Sequence, residues 1–501
     1  MRAQGTKAAV PKRLQVYRQL RAAIEQGSFA PGTRLPPTRE QAQALGVGRN
    51  TVLWAMARLQ AEGYVRGRVG DGSYVAEDLA ALRPGLAALP AGPAPTAPGL
   101  AARPGAGIAA PMLALSERGR LIADTALRWQ PPLTAALPFR IGAPEVARFP
   151  FALWDRLARG HGPAQRQAQA QYLDPAGTPA LREAIAQWLW ASRGVRCEPG
   201  QVLVTAGSQQ AIDLVARLLL DAGDPVWVED PGYPGIRASL VGHGARVCPV
   251  PVDAEGLALD VARERWPAAR LAVVTPTHQF PLGLRMSLAR RLALIDWARE
   301  AGAWIVEDDY DGEFQYGAHR MPALTSLPHD GRVIYVGTFS KTLHPGLRLG
   351  FLVLPATLMP AFAAAKALSD RHSPGEAQAV LARFIAEGHL LRHLRRMREL
   401  YAQRQAVMVQ ALAEATHGAL QLTAAEHGMH LCAEVASAVD DATVSAAAAR
   451  RGVLLAPLSR YTVAAPRRGW LFGHAAYEAA ALQAAARAVG PLLRRAVVST
   501  A

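Results

Sequence analysis

The sequence predicts an α/β protein with a mainly parallel sheet and a smaller C-terminal portion, preceded by a small head of three helices and a β-hairpin. Three observations carry this. Apolar, strand-sized runs alternate with helix-sized segments between residues 202 and 354, the pattern of a sheet covered by helices. Before them, helical periodicity gives way to two short strands around a glycine turn. An Ala/Pro/Gly-rich stretch separates the two parts.

In the head, Leu14, Tyr17, Leu20 and Ile24 recur at helical spacing, which predicts a helix over residues 12–26. Thr38 reads as the cap of a second helix, with Gln41 as its capping-box partner. A tight turn at Gly46-Val47-Gly48 leads to a third helix that places Val52, Ala55, Met56 and Leu59 on one face and stops at Gly63. Tyr64-Val65-Arg66 and Ser73-Tyr74-Val75 read as strands joined at Gly70-Asp71-Gly72. Three helices and a hairpin describe a winged helix-turn-helix, whose third helix enters a DNA major groove by its first residues. Arg49, Asn50 and Thr51 stand there, Arg39 starts the helix before, and Arg66, Arg68 and Gly72 belong to the wing. These are the candidate DNA-binding residues. Phosphate contacts would position the domain, and only a few of these side chains would read bases.

Charge agrees. The chain has 55 Lys+Arg and 40 Asp+Glu, a net charge of +15, and the first 77 residues hold 12 basic against 5 acidic residues, a surplus of 7. A basic block on a less basic body suits a polyanion. Cys197, Cys248 and Cys432 are far apart and have no metal-ligand spacing, so no metal site and no disulfide framework is expected. There is no apolar signal region and no run of about 18 apolar residues. The expectation is a soluble, cytoplasmic protein with no membrane contact. Prolines at 84, 90, 93, 95, 98, 104 and 111 make residues 79–115 a semi-extended tether. The expected domains are therefore 10–78, the linker 79–115, and a body over 116–495.

The body's chemistry centres on Gly337-Thr338-Phe339-Ser340-Lys341, with Arg348 close behind. The hydroxyls and the arginine fork suit a phosphate dianion, and a lysine beside a phosphate can form a Schiff base with an aldehyde. Together they point to pyridoxal 5′-phosphate (PLP). Upstream, Thr205-Ala206-Gly207-Ser208-Gln209-Gln210 is a strand-to-helix turn whose free N–H groups suit a phosphate. Tyr233, after Glu229-Asp230-Pro231-Gly232, could stack on a pyridine ring or serve as a buried structural tyrosine. Glu307-Asp308-Asp309-Tyr310-Asp311 follows a strand, where a carboxylate holds a protonated ring nitrogen and a phenol bonds the ring hydroxyl. A divalent-metal site is the rival reading of these acids, but it leaves Tyr310 and Lys341 without a role.

In the head, Ile24-Glu25-Gln26-Gly27, Pro31-Gly32-Thr33-Arg34-Leu35-Pro36, Thr38-Arg39-Glu40, Arg49-Asn50-Thr51-Val52, Leu59-Gln60-Ala61-Glu62-Gly63 and Gly70-Asp71-Gly72-Ser73-Tyr74-Val75 resemble a GntR-type DNA-binding domain. A departure is Gly48, where that family carries a serine cap. From Tyr172-Leu173-Asp174-Pro175-Ala176-Gly177 through Thr275-Pro276-Thr277-His278-Gln279-Phe280-Pro281 to Lys341, the body resembles class I aminotransferases of the PLP-dependent transferase fold type I. The combination resembles the MocR-type transcriptional regulators.

The resemblance implies that Lys341 holds PLP covalently and that Asp308 faces the ring nitrogen. Asp309 competes for that role, since the enzymes place the acid three residues before the tyrosine, where this chain has Glu307. It further implies that Tyr310 bonds the ring hydroxyl, that Tyr233 stacks on the ring, and that Ser208, Gln209, Thr338, Ser340 and Arg348 hold the phosphate. Tyr172 would reach the phosphate of the neighbouring subunit in a homodimer. The enzymes' Asn-Pro motif reads Phe280-Pro281 here, preceded by His278, which is counted among the cofactor contacts. The arginine that grips a substrate carboxylate is replaced near Trp470, with Arg467 and Arg468 as candidate substitutes. The implied function is a PLP-dependent DNA-binding regulator that senses PLP, an amine or an amino acid at a promoter. The alternative is an active class I aminotransferase.

Overall fold

The computed structural model describes residues 11–68, 71–77, 115–129, 137–317, 321–464 and 466–498. The chain divides into two compact units, Met1–Ala110 and Pro111–Ala501. The expected linker lies outside the described residues except at its last residue, Leu115.

In the first unit, α1 (Lys12–Glu25), α2 (Thr38–Ala44) and α3 (Arg49–Ala61) precede the antiparallel pair β1 (Val65–Arg68) and β2 (Gly72–Val75). Val16, Tyr17, Leu20 and Ile24 of α1 pack with Val52, Ala55, Met56 and Leu59 of α3 and with Val65 and Val75 of the hairpin. The periodic apolar face is thus the core face. Gly48 holds the cap position of α3 in an extended conformation. The Thr38 cap does not form. Pro37 occupies the cap position, Thr38 is already helical, and Gln41 Nε2 donates instead to the Pro36 carbonyl at 2.6 Å. The reason is the Pro36-Pro37 pair, which holds the chain extended up to residue 37. The helix therefore begins one residue earlier than a threonine cap requires.

The second unit is built on an eight-stranded sheet. In chain order its strands are β3 (Val202–Thr205), β4 (Pro225–Asp230), β5 (Arg246–Asp253), β6 (Gly256–Leu257), β7 (Leu271–Val274), β8 (Trp304–Asp308), β9 (Val333–Thr338) and β10 (Gly350–Val353). Their spatial order is β3-β10-β9-β8-β7-β4-β5-β6. The run β9-β8-β7-β4-β5 is parallel, while β10 lies antiparallel to both β9 and β3. The antiparallel insertion has a plain cause. Between β9 and β10 the chain carries only the short helices Phe339–Thr342 and Pro345–Leu347, too little for the crossover that a parallel neighbour needs. Every residue of β3, β7 and β10 is buried, as a sheet covered on both faces requires.

A smaller antiparallel sheet, β11 (His430–Val435), β12 (Ala456–Pro457) and β13 (Arg468–Gly473), has the order β11-β13-β12. It packs Trp470 and Phe472 against Met408 and Leu412 of the helix His389–Ala415 and Leu482 and Val489 of the helix Ala479–Val498. Among the described residues no helix is long and apolar enough to cross a membrane.

Candidate cofactor site

The chemistry sits where β3, β4, β7, β8 and β9 end, the edge at which open α/β sheets place their sites. A cavity of about 330 Å³ opens there, walled by Lys341, Asp308, Tyr310, Tyr233, Ser208, Gln209, Thr338, Ser340 and Arg348. Nine of the eleven residues expected at a cofactor therefore meet on one cavity, although they come from segments more than a hundred residues apart in the chain.

Each is placed by a local rule. Lys341 lies on the short helix after β9, and its Nζ donates to the carbonyl of Gly142 at 2.7 Å. Gly142 has φ +69°, and a Cβ there would come within 2.9 Å of that nitrogen. Burial pushes the Lys341 amine below the ordinary lysine range, against the pull of Asp311 and Asp308. Of the three successive acids, only Asp308 faces the cavity. Side chains alternate along a strand, so Glu307 and Asp309 share the other face. Glu307 accepts from Thr325 Oγ1 at 2.6 Å and from the Leu324 N–H at 2.7 Å. Asp309 takes Arg193 Nε and the Tyr335 hydroxyl, each at 2.7 Å. Asp308 keeps a buried Oδ1 with no hydrogen-bond partner, and burial, then Asp309 and Asp311, push its carboxyl up to about 7.

At the other end, Gly207 (φ +116°) caps the helix Ser208–Leu219. A Cβ on Gly207 would touch the Arg348 guanidinium at 3.6 Å, and Arg348 itself has φ +52°. A left-handed arginine beside a helix N-terminus is the kind of strain found at anion sites. Tyr233 caps the next helix and meets the edge of Phe280 at 5.6 Å. Gln209 spends its Nε2 on the Gly235 carbonyl (2.9 Å) and Ser239 Oγ (2.7 Å), so its amide N–H groups serve the wall.

Two expected residues stand off this cavity. Tyr172 is 81% exposed, with the Arg371 guanidinium 5.1 Å over its ring. His278 is buried behind Tyr310, within hydrogen-bond reach of that phenol and of Asp311. Four further wall residues carried no role in the sequence reading: Gly142, Asp311, Met429 and His430. Asp311 was visible beside Tyr310, but the other three come from segments with no motif. Neither candidate for the missing arginine reaches the cavity. Arg467 forms a two-pronged ion pair with Glu434 (2.7 and 2.6 Å), Arg468 pairs with Asp441 at 3.2 Å, and Trp470 is buried.

On the head, Arg39, Arg49, Asn50, Arg66, Arg68 and Gly72 are exposed and Thr51 is half-buried. Arg49 Nε lies 3.5 Å from Thr38 Oγ1, which links the start of α3 to the start of α2. Arg34 also belongs to this surface: it bridges to Tyr74, and its guanidinium lies 3.2 Å from where a Cβ on Gly72 would stand.

The cavity fits PLP by its own chemistry. An orphaned buried carboxylate oxygen awaits a cationic ring nitrogen, a lysine amine stands free of any acid partner, and hydroxyls with a guanidinium line the far end. Comparison with known proteins agrees. The aminotransferase class I and II family matches residues 154–489, and the gntR family of bacterial regulatory proteins matches residues 12–75. A probable rhizopine catabolism regulatory protein MocR of Rhizobium meliloti is 41% identical over 470 residues, 93% of this chain and 91% of that protein.

The chain belongs to the MocR-type transcriptional regulators. Another of similar architecture, the pyridoxine biosynthesis transcriptional regulator PdxR of Corynebacterium glutamicum, is 29% identical across 89% of this chain and 88% of its own. The α-aminoadipate aminotransferase LysN of Thermus thermophilus, solved with N-(5′-phosphopyridoxyl)-L-leucine, superposes with a TM-score of 0.68 at 28% identity, covering 75% of this chain and 98% of that one. The body of this MocR-type chain therefore has the aminotransferase fold, and the cofactor of that fold is PLP.

Proposed function

We propose that this regulator binds DNA through its head and carries PLP in its body as the sensor of an amine, an amino acid or PLP itself. The observation that carries the reading is the shared cavity: Lys341, Asp308 and the Ser208–Thr338–Ser340–Arg348 cradle converge on it. When bound, the cofactor supplies an electrophilic aldehyde carbon that takes up primary amines. The chain's part is to hold it. Lys341 provides the anchoring amine, Asp308 faces the ring nitrogen, Tyr310 donates to the ring hydroxyl and Tyr233 covers the ring. Ser208, Thr338, Ser340 and Arg348 take the phosphate, with Gln209 bracing the wall.

The exposed Tyr172 is assigned to the partner's site in a homodimer. Arg49, Asn50 and Thr51 are assigned to base edges, and Arg39, Arg66, Arg68 and the turn at Gly72 to the backbone. An effector that competes for Lys341 changes which body conformation is favoured, and with it the spacing of two heads. The place of action is the cytoplasm, where promoter DNA is found.

Borohydride reduction followed by peptide mapping tests the sensor. Purified protein is expected to be yellow and to retain the pyridoxyl mass on the peptide containing Lys341. A colourless chain that takes up no PLP would remove the sensor from the account. A working aminotransferase is supported by the same cavity, and sustained turnover of an amino acid with a keto acid would favour it. The engagement of Arg467 and Arg468 in ion pairs elsewhere supports the regulator.

A further inference from the structure

One imidazole nitrogen serves two oxygen groups behind the cavity wall. His278 Nδ1 lies 2.8 and 3.1 Å from the two carboxylate oxygens of Asp311 and 2.8 Å from the Tyr310 hydroxyl. An ionised Asp311 only accepts, so with that carboxylate charged Nδ1 carries the proton and donates it. That nitrogen then has no lone pair to offer Tyr310. The phenol oxygen is the second acceptor of the same N–H, and the phenolic proton is released to a different partner. Tyr310 lines the cavity with Lys341, and that is where its proton is available.

The remaining ring nitrogen supports this tautomer. With Nδ1 protonated, Nε2 is a bare acceptor, and it is buried without a partner. A buried polar atom without a partner is disfavoured, and it invites a functional explanation. The ring cannot turn to relieve it cheaply. A Cβ at Gly428 would overlap the ring, and one at Gly283 would stand 3.3 Å from Nε2, so both flanks are closed against glycine backbone. The neighbours are accounted for. Arg285 lies near, and with burial it holds the imidazole neutral down to about 3. His427 and His430 sit with ring centroids at 5.0 and 4.9 Å. Each donates to a backbone carbonyl, of Gly283 and Pro281 respectively, and His474 completes the group; burial holds all three neutral near pH 7. On the cavity side stand Asp308, Asp311 and Lys341; burial pushes both carboxyls up to about 7 and holds the lysine amine below its ordinary range.

We propose that His278 is a positioning residue: anchored by Asp311, it donates to the Tyr310 oxygen and thereby fixes and strengthens Tyr310 as the hydrogen-bond donor to the ring hydroxyl of PLP held at Lys341. An oxygen that accepts one hydrogen bond gives its own proton more readily, because donors in a chain polarise one another. Donation to the ring hydroxyl favours its anionic form, so the bound cofactor gives up its proton at a lower pH than it would with an unsupported phenol. This rests on the PLP reading above.

The test is the pH midpoint of the visible absorption band of the full-length, PLP-loaded protein. His278→Leu is expected to raise the midpoint by about one pH unit, the scale of one charge-assisted hydrogen bond made to one protonation state. Tyr310→Phe should raise it at least as far, and the double variant no further than Tyr310→Phe alone. His278→Asn, which keeps an N–H donor, should restore most of the shift. If His278→Leu does not fold, His278→Phe keeps the ring's shape without its donor and carries the same expectation. A wild-type midpoint in the Leu or Phe variant, or a double variant whose shifts add, overturns the proposal. A wild-type protein with no visible band fails the cofactor reading itself, a result separable from both.

Discussion

Asp308 carries the electrostatic logic of the site at the scale of one residue. Its Oδ1 is buried without a partner, and its carboxyl is raised to about 7 by burial and two neighbouring acids. A folded-state pKa above the unfolded value means that the native state binds the extra proton. Its favourable effect on stability is then present below the unfolded value and lost as pH rises towards 7. Asp308→Asn should therefore stabilise the PLP-free protein relative to wild type by an amount that grows between pH 5 and 7, at most about 1.4 kcal/mol per unit, and levels off above. Urea unfolding at several pH values checks this, and PLP should abolish the advantage by giving the wild-type carboxylate its partner. A second prediction concerns the effector. Arg467 and Arg468 are engaged with Glu434 and Asp441, so converting either to Ala should leave an amine's half-saturation of the visible band within about twofold, less than the ~1.4 kcal/mol of a tenfold change. The sequence narrowed the carboxylate to Asp308 or Asp309 and left the choice open. Strand alternation puts Asp308 on the cavity side and Asp309 against Arg193 and Tyr335, a distinction that needs to know which face of β8 meets the cavity.

At the scale of the element, α3 and the end of β9 were legible because their signals are local. The four positions read as one apolar face of α3 are the four it buries, and β9 runs two residues past its apolar stretch into Gly337-Thr338. Truncating Leu59→Ala, at a site with no exposure, should cost the head about 2–5 kcal/mol, seen as an earlier thermal transition with the visible band unchanged. Arg49→Ala, on the exposed start of the same helix, should leave that transition in place and abolish operator binding in a gel-shift assay. Capping was read less well. A threonine followed by glutamine matched the capping pattern, but two prolines fixed the preceding backbone and moved the helix start. The antiparallel insertion of β10 was hidden for a different reason, since strand direction is set by the connection and apolar content does not encode it.

Over the whole molecule, the division into a small basic head and a large α/β body was legible from composition and periodicity. The wall formed by Gly142, Met429 and His430 was not, because it brings together segments before β3 and after β10 with no motif of their own. Lys341 stands at the centre of that body, its amine held by the Gly142 carbonyl and kept below the lysine range by burial. In the proposed function this one amine links cofactor and promoter. The most direct measurement is operator affinity by fluorescence anisotropy, for wild type and Lys341→Ala, each with and without PLP. The expected result is a PLP-dependent change in wild-type affinity of severalfold or more, the scale of ~1–3 kcal/mol typical of coupled sites, and none in Lys341→Ala. An identical response to PLP in both proteins would contradict the account.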